Sequence, residues 1–234
     1  MSSSDGPAQA APVVNCVVLR VVDRLEVLLW QRRKPPQEGA WALPGGFVGR
    51  GEPLEAAARR HLLEKVGVEG AAHLEQLHTT SGAVAEGAAW LIDTLYLALL
   101  PRDADPGLPP DTRWQPVDEL PEVAFGHAKA IALARQRLAG KLSYSNVAFA
   151  LMPPEFTLRE LADVYAGVLG TRVSPTHLGR VLTRDGVMAP TGTHRSAGRS
   201  GGRPAEEYSF QQRELVISRP LAAFRTLAPV VAGR

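Results

Sequence analysis

The sequence lacks the features that mark secreted, membrane-spanning or strongly charged proteins. Its 234 residues include a single cysteine, Cys16, which cannot form an internal disulfide and suits a cytoplasmic protein. No apolar stretch approaches the roughly 20 residues needed to span a bilayer, so we expect no membrane partner. Residues 1–11 have neither the basic start nor the apolar centre of a signal peptide, and we expect them to form a disordered leader.

Charge of one sign does not dominate either, since the net charge is only +2. The distribution is more informative than the total. Residues 1–139 have a balance of −3, whereas residues 140–234 have a balance of +5. A mildly acidic front part joined to a basic back part predicts two domains with different partners.

The most specific pattern begins at Gly46 and continues with five residues, Glu52, seven residues and Arg60. Pro53 suits a first helical turn, and the alanine- and leucine-rich run after it predicts a helix that ends at Gly67. On this helix, positions 61, 64 and 65 are spaced so that they share one face. By itself, such a helix is also compatible with an ordinary packed surface helix.

The spacing resembles the Nudix box, G-x5-E-x7-R-E-U-x-E-E-x-G-U, in which U is a bulky aliphatic residue. The resemblance implies that glutamates on the shared face hold a divalent cation. Two of them are replaced here, by His61 and Lys65, and Glu64 alone is kept. We therefore expect weak Mg²⁺ binding by Glu64 or none, no required cofactor, and little or no hydrolysis. No catalytic residue is expected in the degenerate box, which comprises Glu52, Arg60, His61, Glu64 and Lys65.

Strands and helices alternate along the front of the chain. A hairpin is predicted from Val13 to Leu19 and Leu25 to Trp30, and a further strand from His73 to Thr80. The apolar run Ala89 to Leu100 follows, and Phe125 to Leu138 has the composition of a helix. Gly140 to Pro154 resembles a passage between domains.

The back of the chain contains the signals of two short helices. Thr157-Leu158-Arg159-Glu160 is a capping box before an amphipathic run that Gly170 ends. Ser174-Pro175 starts a second helix, which stops at Asp185-Gly186. Two short helices with a tight connection predict a helix-turn-helix, whose second helix would enter a major groove.

A basic segment, residues 189–205, follows these helices and contains three arginines but no acidic residue before Glu206. After a recognition helix, such a segment is typical of the wing of a winged helix, and its arginines suit phosphates or a minor groove. A disordered loop kept soluble by its charge is the alternative. The candidate DNA contacts of helix and wing together are Thr176, His177, Arg180, Arg184, Arg195, Arg199 and Arg203.

The combination resembles the Nudix-related transcriptional regulators of NAD metabolism, the NrtR family. The resemblance rests on Trp41 to Glu52, Lys141 to Gly170 and Gly202 to Phe210. It implies an α/β protein with a Nudix α/β/α sandwich at residues 12–142, followed by an α+β winged helix-turn-helix domain at residues 150–225. It further implies a homodimeric repressor of NAD synthesis or salvage genes, which binds double-stranded operator DNA and senses ADP-ribose or a related NAD metabolite.

A cleft without its metal carboxylates can still hold a diphosphate through basic and aromatic side chains. Arg32 and Arg33 are candidates for phosphate, and Trp41 and Phe47 for stacking, although Trp41 equally suits core packing. The full set of candidate ligand contacts is Arg32, Arg33, Trp41, Gly46, Phe47, Glu64 and His127, the last because it aligns with a histidine typical of the family. The loop Thr79 to Ala89 departs from the family because it lacks the charged residues expected for ligand contact. Regulation by NAD, or by modification of an exposed lysine such as Lys129, therefore stays open.

Two other functions remain compatible with the sequence. One is an active Nudix pyrophosphatase that acts on ADP-ribose-like nucleoside diphosphate compounds. The other is a nucleic-acid binder without sequence preference, which uses only the basic back half.

Overall fold

The structure, a computed structural model, describes residues 9–83, 90–196 and 204–217. Residues 1–8 of the expected leader lie outside this set, but the first strand begins at Ala10, so Ala10 and Ala11 belong to the sheet. Among the described residues, no helix combines the length and apolarity needed to cross a bilayer.

Within the described residues, sixteen elements follow one another in chain order: ten strands, four α-helices and two short 3-10 turns. The strands and helices before the second domain are β1 Ala10–Val21, β2 Leu25–Gln31, β3 Trp41–Ala42, β4 Gly45–Phe47, α1 Leu54–Val66, β5 His73–Ala83, β6 Trp90–Leu99, β7 Thr112–Pro116 and α2 His127–Leu142. A 3-10 turn at Ala124–Gly126 precedes α2, and another at Val147–Ala150 follows it. The remaining elements are β8 Phe156–Thr157, α3 Leu158–Leu169, α4 Pro175–Arg184, β9 Met188–Arg195 and β10 Ala205–Phe210.

The first domain is built on a mixed seven-stranded sheet with the central order β3-β2-β1-β6-β5. β1 runs parallel to β6 in a continuous register from Ala10 opposite Trp90 to Leu19 opposite Leu99. The β1–β2 and β5–β6 pairs are antiparallel, as a meander of short connections requires. β4 pairs with β1, and β7 with β2, which brings the loop before α1 against the middle of the sheet.

Both faces of the sheet are covered, which explains why β1 is an almost continuous apolar run. Val14, Cys16 and Val18 face α1, while Val17 and Leu19 face α2 on the other side. This is the predicted α/β/α sandwich. Cys16 is fully buried as expected, and its burial raises the pKa of the thiol to about 12.

The second domain has both predicted helices and a three-stranded sheet in the order β8-β10-β9. Thr157 and Glu160 form the predicted capping box of α3, and Ser174 accepts a hydrogen bond from the His177 N–H at the start of α4. A hairpin of β9 and β10 packs behind α4, so the domain is a winged helix.

The segment that resembled a passage between domains is part of the core instead. α2 continues to Leu142, and every side chain from Val147 to Met152 is buried. This turn, together with Tyr165 of α3, shares one apolar cluster with the sheet face that α2 covers. The two domains are therefore joined through packed apolar surface, because the apolar residues of the connecting segment gain more by burial than by exposure.

Candidate functional site

Glu52 and Arg60 hold the loop that precedes α1. The guanidinium of Arg60 contacts both carboxylate oxygens of Glu52, at 2.7 and 2.8 Å, and the backbone N–H of Gly49 donates to the same carboxylate at 2.7 Å. These hydrogen bonds, first that of Arg60 and then that of Gly49, lower the pKa of Glu52 to about 2. The carboxylate of Glu52 is thus engaged by Arg60 and Gly49, and α1 starts after Pro53 without a side-chain cap.

His61 is buried under the loop and cannot act as an acidic ligand. Its Nε2 lies 3.0 Å from the carbonyl oxygen of Phe47, and Nδ1 is buried without a hydrogen-bond partner among the described residues. Burial, and then the charges of Arg60 and Lys65, lower the pKa of the imidazole, so the ring is neutral and its Nε2–H donates to Phe47. The ring packs so closely on Gly46 that an added Cβ there would lie 2.8 Å from its Cε1 atom.

Lys65 points into the box instead of into solvent. Its ammonium donates a hydrogen bond to the carbonyl oxygen of Gly45 and lies 4.3 Å from the centre of the Trp30 ring. Burial, and then the charges of Arg32 and Arg60, lower the pKa of this ammonium. The side-chain ammonium of Lys65 therefore lies at the face where the resemblance implies a divalent metal ion.

The donors that remain do not fit such a metal ion. Glu64 turns outward, with 57% of its side chain exposed, and contacts Arg60 at 3.3 Å. In the described part of the chain, no group of three histidine, cysteine or carboxylate side chains is arranged to hold a metal ion. Divalent cations prefer several oxygen ligands at once, whereas this face presents one outward carboxylate, a neutral imidazole and an ammonium.

The two candidate phosphate-binding arginines differ in their surroundings. Arg33 forms an ion pair with Asp111 at 2.6 Å. Arg32 donates to the carbonyl oxygens of Lys34 and Pro36 and lies 4.6 Å from the ring centre of Phe125. The contact with Phe125 places Arg32 beside the start of α2, and its charge lowers the pKa of both Lys65 and His127.

The candidate aromatic and histidine contacts also differ in their surroundings. Trp41 is half-buried against the core, and the guanidinium of Arg113 lies 4.0 Å from its ring centre. Phe47 is 64% exposed beside the box. His127 is buried and its Nδ1 accepts the backbone N–H of Leu43 at 3.1 Å, so that nitrogen supports the loop between β3 and β4.

Three residues beside the candidate ligand contacts were not predicted from the sequence. Trp30 and Arg113 lie on β2 and β7, where the strand alternation gives their face but not their partners. Phe125 adopts a positive φ of 56° next to Gln37, whose φ is 57°, and the Phe125 N–H donates to the Gln37 side chain. Strained backbone of this kind concentrates at binding sites, but no sequence signal marks it at a phenylalanine.

The exposed face of α4 forms a second candidate site, a nucleic-acid interface. Leu178, Val181 and Leu182 anchor the helix to its domain, while the predicted contacts Thr176, His177, Arg180 and Arg184 are all exposed. Within this face, Arg180 lies 3.1 Å from Nδ1 of His177, and Arg184 pairs with Asp185 at 2.9 Å. The helix thus presents polar and basic groups to the solvent in a form that suits a major groove.

Of the arginines predicted for the wing, Arg195 lies within the described residues. Arg195, at the end of β9, pairs with Glu207 at 2.6 Å and with Glu160 at 2.7 Å. Its guanidinium therefore ties the hairpin to the capping box of α3. Arg199 and Arg203 lie outside the described residues.

Comparisons with known proteins agree with this two-domain arrangement. The NUDIX domain family matches residues 10–134, and the NrtR DNA-binding winged helix domain matches residues 148–210. A curated relative from Acinetobacter baylyi, the "ADPR responsive transcriptional repressor NtrR", is 32% identical over 224 residues, which cover 93% of this chain and 88% of the relative.

Solved structures give the same result. Shewanella oneidensis NrtR aligns with a TM-score of 0.77 and 31% identity, over 90% of this chain and 98% of that chain. The same Shewanella protein complexed with a 27mer DNA aligns with a TM-score of 0.72 and 31% identity, over 85% of this chain and 93% of that chain. Since both domains and nearly the whole length are matched, the chain belongs to the NrtR family, in which a NUDIX domain is joined to an NrtR DNA-binding winged helix domain.

Proposed function

We propose that this protein is a transcriptional repressor that binds double-stranded operator DNA through its winged helix and responds to ADP-ribose in its NUDIX domain. The observation that carries the proposal is the α4 surface, whose apolar side is buried and whose exposed side is polar and basic. The Acinetobacter relative is named for a response to ADPR, and Shewanella NrtR was crystallised with DNA.

Sequence discrimination is assigned to α4, with Arg180 and Thr176 at the base edges and His177 and Arg184 beside them. An arginine that contacts guanine with two hydrogen bonds discriminates by about 1–3 kcal/mol. Arg199 and Arg203 are assigned to phosphate contacts, which weaken as salt rises. Arg195 is assigned mainly to wing anchoring, because Glu160 and Glu207 already occupy its guanidinium.

The effector is assigned to the surface between the degenerate box and the start of α2, with Arg32, Gly46, Phe47 and Trp41 as contacts. Arg33, Glu64 and His127 have internal partners and are assigned to its support. ADP-ribose changes DNA binding only if its affinity differs between two arrangements of the protein. A homodimer provides such arrangements, because a change in the NUDIX domains then alters the separation of two winged helices.

NAD synthesis or salvage genes are the proposed targets, and the cytoplasm the proposed location. The test is a gel-shift titration on the DNA upstream of the protein's own gene, with ADP-ribose, NAD or no ligand. We expect a discrete complex that ADP-ribose weakens and that random duplex does not compete away at equal salt. Arg180→Ala removes the preference for this DNA, whereas Arg59→Ala, a paired surface arginine of α1, leaves it unchanged. Equal affinity of the unaltered protein for both duplexes would contradict the proposal.

Hydrolysis is the competing activity, and it is not favoured because Lys65 occupies the metal face and Glu64 turns away from it. An active pyrophosphatase predicts Mg²⁺-dependent release of AMP from ADP-ribose, abolished by Glu64→Gln. We expect no release above that of a protein-free control.

A further inference from the structure

The face of the box at which the resemblance implies a metal ion carries the ammonium of Lys65 instead. The ammonium of Lys65 is held by one hydrogen bond to the Gly45 carbonyl oxygen and by the face of Trp30. Trp30 is itself fixed, because its indole N–H donates to the carbonyl oxygen of Leu43 at 2.9 Å. An ammonium has three N–H donors, so these contacts leave donors for a ligand.

The charges around Lys65 are unbalanced in favour of an anion. Arg60 is neutralised by Glu52, and it also contacts Glu64. Neither Lys65 nor Arg32 forms an ion pair within the described ranges, 9–83, 90–196 and 204–217. Apart from burial, the charge of Arg32 lowers the pKa of Lys65, whereas the charge of Glu64 raises it. Bringing an anion between two such cations relieves their repulsion.

We infer that Lys65 is the resident cation of the effector site: its ammonium replaces the divalent metal ion and, with Arg32, binds the diphosphate of the effector directly. This inference rests on the proposed function, because it takes a nucleoside diphosphate as the ligand. Carboxylates repel a diphosphate unless a divalent metal ion lies between them, and the resemblance implies such a metal ion at this face. A lysine at the same face needs no such bridge, so effector binding is independent of Mg²⁺.

A structural role for Lys65 gives a different expectation. If the ammonium served only to hold the Gly45 carbonyl and the β4 loop, its loss would lower the stability of the domain and leave no specific effect of metal ions. A glutamate at position 65 separates the two roles, because it restores the family carboxylate. It repels a diphosphate unless a divalent cation lies between them.

The experiment measures the affinity of the full-length protein for ADP-ribose by isothermal titration calorimetry, in excess EDTA and in excess MgCl₂. The variants are Lys65→Met and Lys65→Glu. Lys129→Met, an exposed lysine of α2, is the matched control. Thermal unfolding of each variant verifies that it is folded at the titration temperature.

We expect the unaltered protein and Lys129→Met to bind equally well with and without Mg²⁺. Lys65→Met should bind about 10- to 100-fold more weakly in both buffers, as the loss of a charge-assisted contact predicts. Lys65→Glu should bind weakly in EDTA and recover at least about tenfold with MgCl₂.

Two results would overturn the inference while leaving the proposed function intact. One is binding by the unaltered protein that requires Mg²⁺, and the other is a Lys65→Glu protein that is folded but gains nothing from Mg²⁺. Absence of ADP-ribose binding by the unaltered protein in both buffers would instead refute the effector itself, and the inference with it.

Discussion

His127 makes the stability of the NUDIX domain depend on pH in a predictable direction. Its imidazole is 6% exposed, and Nδ1 accepts the Leu43 N–H, which only an unprotonated nitrogen can do. Burial, and then the charge of Arg32, lower its pKa from 6.5 to about 4. As the pH falls below 6.5, His127 becomes protonated in the unfolded chain but stays neutral in the folded protein. The folded state therefore loses stability until the pH reaches about 4.

The size of the effect follows from these two pKa values. Between pH 7.5 and pH 5 the unfolded histidine gains almost one proton and the folded one gains almost none. The free energy of unfolding should then fall by roughly 2 kcal/mol over this interval. The carboxylates of Glu52 and Glu75, whose pKa values are lowered to about 2, contribute mainly below this interval.

Urea unfolding of the unaltered protein and of His127→Gln, at several pH values from 7.5 to 5, measures this contribution. Glutamine keeps an acceptor for Leu43 and does not titrate, so the variant should lose roughly 2 kcal/mol less over the same interval. The comparison uses the slope with pH, because the substitution also alters packing at every pH. Identical slopes for the two proteins would show that His127 is not held neutral in the folded state.

The remaining predictions concern packing and the winged helix. Gly167→Ala places a Cβ 2.7 Å from Val21 across the domain contact and should cost about 1–3 kcal/mol in urea unfolding, whereas Gly140→Ala, in open space on α2, should stabilise by up to about 1 kcal/mol. Equal effects would mean that the two domains do not pack as described. Thr157→Ala removes the capping box of α3 and should cost about 1 kcal/mol; an unchanged midpoint would contradict the cap. Arg195→Ala should cost at most about 1 kcal/mol and weaken DNA binding alike for operator and random duplex; loss of operator preference alone would show a base contact instead.

The helices of the second domain were the most predictable part of the fold. Caps act within four residues of the chain, so Thr157, Glu160 and Ser174 gave the starts of α3 and α4 correctly. β1, β2, β5 and β6 were also predicted as strands, with ends that differ by at most three residues and that agree at Leu25 and His73. The short strands β3, β4 and β7 were missed, because two to five residues carry too little pattern and exist only through pairing with β1 and β2.

The residues of the candidate site were predicted from residue type and spacing, which do not distinguish their surroundings. Arg32 and Arg33 are adjacent and chemically equal in the sequence. Asp111, which pairs with Arg33, comes from a distant part of the chain that β7 brings beside β2. The same holds for Arg195, whose two carboxylate partners lie 12 and 35 residues away.

Local spacing and residue type alone determined three features: the order of the two domains, the helix of the box and the loss of two glutamates. These features can be recognised without knowing which residues contact each other. The directions of the replacement side chains, His61 and Lys65, do not follow from the local sequence. Lys65 lies over Trp30 and against Gly45, and His61 lies under Phe47, because the sheet packs α1 against β2 and β4. Such contacts join groups 14 to 35 positions apart in the chain inside the low-dielectric interior, and only the packed tertiary structure decides which of them meet.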